Sequence, residues 1–429
     1  MPRSTITFGA VGDIALTGAV ATAAAARGLD WPFAPMRAQL ERADILFGSM
    51  ESVFIPDDYP AAELDPRGLI SRLPGAAAAA ALRHAGFDFL NLAANHVLDA
   101  GTVGLEHTAR VLREGGLAVG GIGRTQADAR ALTTLERDGV TFGFLCYCED
   151  SNYSLGARGP CHAYYTRDAV LEDVATQRAR VDVLVVSVHG DLEFMPTPSV
   201  PRLQTFRDIA RAGATLVLGH HPHVPQGCEL VDGALIVYSL GNFVFAAHSS
   251  PHLRRHAPAT TRSFLLLADV GRDGVRSFER VPFEITARPE ERPIPLAGAA
   301  RDGMLTHLAE LDRHLQDDAF VRQVWREAAK RRFETYLEQI PRRAPSGGAR
   351  WRRAMARLLD PGRSASGIDV DRLIDDLVPR LALAAENRSW MTEILQMGRE
   401  RWERRNAETP DPLHRPHYRF TRRFIRSSK

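Results

Sequence analysis

Cysteine is scarce in this chain: four in 429 residues, at Cys146, Cys148, Cys161 and Cys228. None forms the paired CxxC pattern of a thiolate-held structural zinc, and reduced buried thiols are expected rather than a disulfide framework. Net charge is nearly absent too: 54 basic and 52 acidic residues leave +2, so whole-chain charge points to no polyanionic partner. Long apolar runs are missing. Met1-Pro2-Arg3-Ser4-Thr5 leads straight into a strand, and the alanine-rich stretches 19–26 and 76–81 are too short to span a bilayer. No secretory signal and no membrane anchor is read, so the expected location is cytoplasmic. Nucleotide-binding signatures are weak as well, because the glycines near Asp13 do not follow GxGxxG and no GK[ST] follows. What remains is a composition of 45% hydrophobic and 25% charged residues, ordinary for a soluble globular protein. The length suggests one large domain and a smaller one.

Polar ligand types recur at the ends of apolar strands. Residues 6–11 run into Gly12-Asp13, and residues 44–48 deliver Ser49-Met50-Glu51. The stretch 87–94 ends in Asn95-His96, with Asp99 three positions on, where it can orient the imidazole. The most continuous apolar stretch, 181–188, ends in His189-Gly190-Asp191-Leu192-Glu193. Residues 216–218 stop at Gly219-His220-His221-Pro222-His223. Each has an ordinary reading alone: a solvated charge at Glu51, a helix cap at Asn95, a polar turn at the histidines. Together they place Asp13, Glu51, Asn95, His96, His189, His221 and His223 at one edge of an open α/β sheet, where such folds carry their chemistry. Oxygen and imidazole donors without thiolate suit divalent metal ions such as Mn, Fe, Zn, Mg or Ca. Their number accommodates a dinuclear site sharing a bridging carboxylate.

These motifs, together with Ser239-Leu240-Gly241-Asn242-Phe243, resemble the CapA family, the capsule and poly-γ-glutamate synthesis branch of the calcineurin-like metallophosphatases. The resemblance covers roughly residues 5–285. It implies a four-layer α/β/β/α sandwich over 1–287, with Asp13, Glu51, Asn95, His189, His221 and His223 as metal ligands and Glu51 bridging. His96 would donate or orient a proton, and His220 fills a loosely occupied position. Departures include Ala15, where superfamily phosphatases carry a histidine, Ser49-Met50 before Glu51, Ala94, and Gly190-Asp191 after His189. They weigh against phosphoester hydrolysis. In CapA-like relatives associated with lasso peptides the resemblance implies inversion of a peptide α-carbon. That peptide epimerase reading gives His96, Asp191 and Glu193 as candidate proton-transfer groups. The alternatives are a poly-γ-glutamate or capsule biosynthesis factor and a metallophosphoesterase. The substrate expected is a peptide or a polyglutamate-type chain.

From about residue 288 the composition shifts. Pro289, Pro293 and Pro295 suggest a linker, followed by a helical, basic extension over 288–429 with helices expected at 304–316, 319–340, 368–383 and 388–405. Its arginines, including the run Arg419-Phe420-Thr421-Arg422-Arg423, read as a solvated face or as a clamp for acidic peptide. No nucleic-acid-binding module accompanies them, and nucleic acid is disfavoured as a partner.

Overall fold

The computed structural model describes residues 6–64, 68–149 and 160–339. The fold is mixed α/β, built on two large sheets. In the first, the parallel strands Ile6–Ile14, Ile45–Met50, Phe89–Asn91 and Ala118–Gly120 lie side by side. Arg262–Gly271, Gly274–Ile285 and Pro293–Pro295 continue the sheet antiparallel on the other side of the first strand. The short strand Asn242–Val244 also pairs with the end of Ile6–Ile14. The second sheet runs Cys228–Val231, Ala234–Val237, Leu216–His220, Val183–His189, Val140–Cys148, Thr133–Arg137, parallel through its four central strands.

The central strands read as unbroken apolar runs because both their faces are covered. Side chains alternate between two environments along each strand. Ile6, Phe8 and Ala10 of the first sheet share one cluster with Phe142, Phe144, Val183, Val185, Leu216 and Leu218 of the second. Phe89 and Phe144 stack there with centroids 4.0 Å apart. The intervening residues face helices. Val11, Leu46 and Leu90 meet Ala78, Ala79 and Leu82 of helix Gly75–His84 and Leu105 and Leu112 of helix Gly101–Glu114. Leu184, Val186 and Val217 meet Val170 and Val174 of helix Arg167–Gln177 and Leu203, Phe206 and Ile209 of helix Val200–Arg211. The last of these starts where Ser199 accepts a hydrogen bond from the Arg202 amide and Pro201 supplies a pre-set φ.

The boundary expected at 287/288 falls inside a compact unit whose first segment runs to Ala328. Pro293–Pro295 pairs with the preceding strand, and Met304, Leu308 and Leu311 of helix Gly298–His314 enter the cluster between the sheets. Their i, i+4, i+7 spacing is what makes that helix a core element rather than a linker-borne one. Helix Asp318–Gln339 follows. The helices expected at 368–383 and 388–405, the arginine-rich end and most of the loop expected at 151–165 lie outside the described residues. Among the described residues no helix is long and apolar enough to cross a membrane.

Candidate metal centre

Two glycines let the backbone close around the site. A Cβ at Gly12 would lie 1.8 Å from the Gly241 carbonyl oxygen, and one at Gly219 would lie 1.8 Å from that of Tyr238. Their absence lets Asp13 N–H donate to Gly241 O at 2.9 Å and Leu240 N–H donate to Gly219 O at 3.1 Å. The first strand shifts register between Ala10 and Asp13, re-aiming its last residues. Asp13 then stands level with Ser49 and Asn242 on the flanking strands. Glu51 directly follows Ile45–Met50, and His189 and His220 are paired last residues of adjacent strands. Beyond them the chain turns sharply. Asp191, Phe194, His221 and His223 all take positive φ, a conformation that costs non-glycine residues roughly 1–3 kcal/mol each and clusters at functional sites.

These turns bring the acidic and imidazole groups together in two buried sets that share Glu51. One is Glu51, His189 and His221; the other is Asp13, Glu51 and His223, and within each the donor atoms lie within 4.8 Å of one another. His189 Nδ1 is 3.7 Å from Asp13 Oδ1, and His189 Nε2 is 4.0 Å from Glu51 Oε1. His223 Nδ1 is 3.8 Å from Asp13 Oδ2, and its Nε2 is 3.8 Å from Glu51 Oε1. His189 Nε2 lies 3.0 Å from Asn95 Oδ1, which places that amide oxygen beside the two sets. His223 Nδ1 donates to Asn242 Oδ1 at 2.9 Å, and an amide oxygen can only accept, so Nε2 keeps its lone pair for the centre.

The electrostatics favour a cation. Burial works to raise the Asp13 carboxyl, but His220, His189 and His223 outweigh it and hold the group well below the ordinary range. Burial, reinforced by Asp13, Glu193 and Asp99, pushes Glu51 well up. Burial drives His189 well down, with His221, His220 and His223 adding to it, and takes His221 down to about 4. Neutral imidazole is the form that binds metal. Both Glu51 oxygens, Asp13 Oδ1 and His189 Nδ1 are buried and make no hydrogen bond within the described residues. A buried acceptor left this way costs about 1–3 kcal/mol. A divalent ion satisfies all of them, so the residues present fit one.

The candidate proton-transfer groups are placed differently from one another. His96 Nδ1 lies 2.7 Å from Asp99 Oδ2, the orienting contact expected from their spacing. Asn95 caps no helix: the next one begins at Gly101 with Ala100 in the cap position. Asp191 accepts from the Ser199 amide at 2.8 Å and lies 4.0 Å from Arg202, which ties it to the start of helix Val200–Arg211. Glu193 Oε1 lies 3.8 Å from His223 Nε2, and its Oε2 lies 2.9 Å from His252 Nε2. Burial works to raise the Glu193 carboxyl, but His252, His221 and His223 outweigh it and hold it down at about 2. Two further residues carry weight that the sequence reading does not give them. His220 is fully buried against Phe47, with Nδ1 3.5 Å from Asp13 Oδ1. Asn242 orients His223 from inside Ser239-Leu240-Gly241-Asn242-Phe243. Period-two alternation is the signal that finds His220, since Leu216 and Leu218 already point between the sheets.

Residues 7–247 match the model of a family described as bacterial capsule synthesis protein PGA_cap. The PGA biosynthesis protein CapA of Bacillus subtilis (strain 168) is 28% identical over 218 residues, which is 50% of this chain and 54% of that protein. The capsule biosynthesis protein CapA of Bacillus anthracis is 28% identical over 251 residues, 56% of this chain and 60% of that one. The chain thus matches little more than half the length of either relative. A solved hypothetical protein from Thermus thermophilus aligns over 65% of this chain and 99% of its own, at 16% identity and a TM-score of 0.40.

Proposed function

This chain belongs to the PGA_cap family of bacterial capsule synthesis proteins, and on that premise we propose that it is a metal-dependent enzyme of capsule or poly-γ-glutamate biosynthesis, acting on a polyglutamate-type chain. One observation carries the metal-dependent part: a single buried carboxylate, Glu51, belongs to both ligand sets. Asp13, Glu51, Asn95, His189, His221 and His223 would hold two divalent ions, one at each ligand set. A bound ion supplies Lewis-acid polarisation of a carbonyl or phosphoryl oxygen and acidifies water. His96, fixed through Nδ1 by Asp99, would exchange a proton with substrate through its other ring nitrogen. Asn242 fixes the His223 tautomer, and the sheets bury the carboxylates away from bulk water. We assign the two sheets and their flanking helices a four-layer α/β/β/α order, supported by the one cluster between the sheets and one on each outer face.

The relatives' names speak for the capsule reading over the peptide epimerisation expected from the sequence, so the former takes precedence. One experiment separates them. The purified protein, with its metal counted, is incubated with γ-linked glutamate oligomers in deuterated water, and both chain length and α-deuterium are read by mass spectrometry. The proposal expects a metal-dependent change in chain length or end groups that chelation and His223→Ala both abolish. Deuterium uptake at unchanged length would restore the epimerase instead.

A further inference from the structure

The end of the Asp13 strand offers no second donor. Ala15 is buried in a small apolar cluster with Phe245, Ala247, Leu253 and the partly buried Phe194. Two of those residues sit directly beside a polar pair. Phe194 follows Glu193, and Leu253 follows His252. Phe194 is pinned with φ 64° by a hydrogen bond from its amide to Pro222 O at 2.9 Å. Its ring stacks on His256 with centroids 3.9 Å apart and meets His252 edge-on at 4.9 Å. That packing points Glu193 back at the centre, with one oxygen 3.8 Å from His223 Nε2 and the other on His252.

The 248–260 segment also holds His223 itself. Asn242, which accepts from His223 Nδ1, donates through Nδ2 to Thr260 O at 3.0 Å, and Thr260 Oγ1 donates to Leu253 O at 2.9 Å. The segment is anchored in turn by its own contacts: His248 Nε2 lies 3.0 Å from Ile285 O, and Ser249 donates to the buried carboxylate of Glu291. One turn therefore fixes two groups that converge on the same space.

We propose that Glu193 is a further oxygen ligand of the centre and that His252 is its positioning residue, so that the 248–260 segment sets how tightly one of the two ions is held. The inference rests on the metal-centre reading above. Groups that hydrogen-bond to ligands alter metal affinity by about 10–100-fold when removed. His252, with 56% of its side chain exposed, can be changed without opening the core, and Glu193→Gln conserves shape.

The test uses the full chain loaded with Mn²⁺, with metal per chain counted by mass spectrometry during timed exposure to EDTA. Glu193→Gln and His252→Ala are expected to release one ion about 10–100-fold faster than the parent while the other leaves at the parent rate. His252→Gln, whose amide can donate to the same carboxylate oxygen, is expected to restore most of the retention. Parent-like release from Glu193→Gln would overturn the ligand assignment, and parent-like release from His252→Ala would overturn the positioning role. A parent protein that takes up no Mn²⁺ would instead overturn the metal centre itself, and this inference with it.

Discussion

Replacing Glu51 by glutamine should change stability in opposite directions with and without metal. Glu51 is 1% exposed, neither of its oxygens makes a hydrogen bond within the described residues, and its nearest histidine nitrogens stand at 3.8 and 4.0 Å. Burial and Asp13 raise its carboxyl well above the 4.5 at which it ionises in an unfolded chain. The sign follows directly. In chelated protein the unfolded state loses this proton near pH 4.5 while the folded state keeps it, so the parent loses stability as pH rises through that window. The slope is about 1.4 kcal/mol per pH unit. Glutamine has no proton to lose and removes the slope, so chelated Glu51→Gln is expected to be the more stable at pH 7, and by a larger margin than at pH 5. With Mn²⁺ the order reverses. An ion at about 1,000 times its dissociation constant adds about 4 kcal/mol to the parent, and the variant has lost the carboxylate both ligand sets share. Thermal unfolding of both proteins at pH 5 and 7, with Mn²⁺ and with EDTA, reads all of this. An equal loss in the variant with and without metal would refute the reasoning and make Glu51 a packing residue.

Gly12→Ala is expected to lose about 1–3 kcal/mol of stability and to bind fewer ions, because its Cβ meets Gly241 O at 1.8 Å and must part the strands that hold Asp13. Gly303→Ala, whose Cβ meets nothing within 4 Å on helix Gly298–His314, should be neutral or slightly stabilising in the same melts. Asp99→Asn should leave the metal count unchanged while lowering turnover of γ-linked glutamate oligomers by about 10²-fold, since His96 loses the anion that orients it. Phe144→Ala, in the stack between the sheets, should cost about 3–5 kcal/mol in denaturant unfolding without altering the ions bound per chain.

The strand ends are legible in the sequence because a parallel strand buried on both faces is apolar but for a lone serine such as Ser49 or Ser187, so its first ionisable residue marks where it leaves the core. His189 and Glu51 stand out for that reason. The sequence puts Asp13 just past its strand, whereas the strand runs to Ile14 and a register shift re-aims the residue. No local pattern encodes that shift, nor the approach of Gly241 to Gly12 from 229 positions away. His220 is overshadowed by its neighbours when the turn, rather than the alternation within Leu216–His220, is followed. The prolines at 289, 293 and 295 suggest a linker, yet two of them bound an edge strand, a position where a missing N–H is tolerated. Pairings such as Glu193 with His252 and Asn242 with Thr260 join separate elements of the chain and leave no periodic trace.

The most direct test is anomalous diffraction from crystals of the full chain grown with Mn²⁺. Two peaks about 3.5–4 Å apart, with the Glu51 carboxylate between them, are expected. Peaks that fall away from Asp13, His189, His221 and His223, or a Glu51 that touches neither ion, would contradict the shared-carboxylate centre.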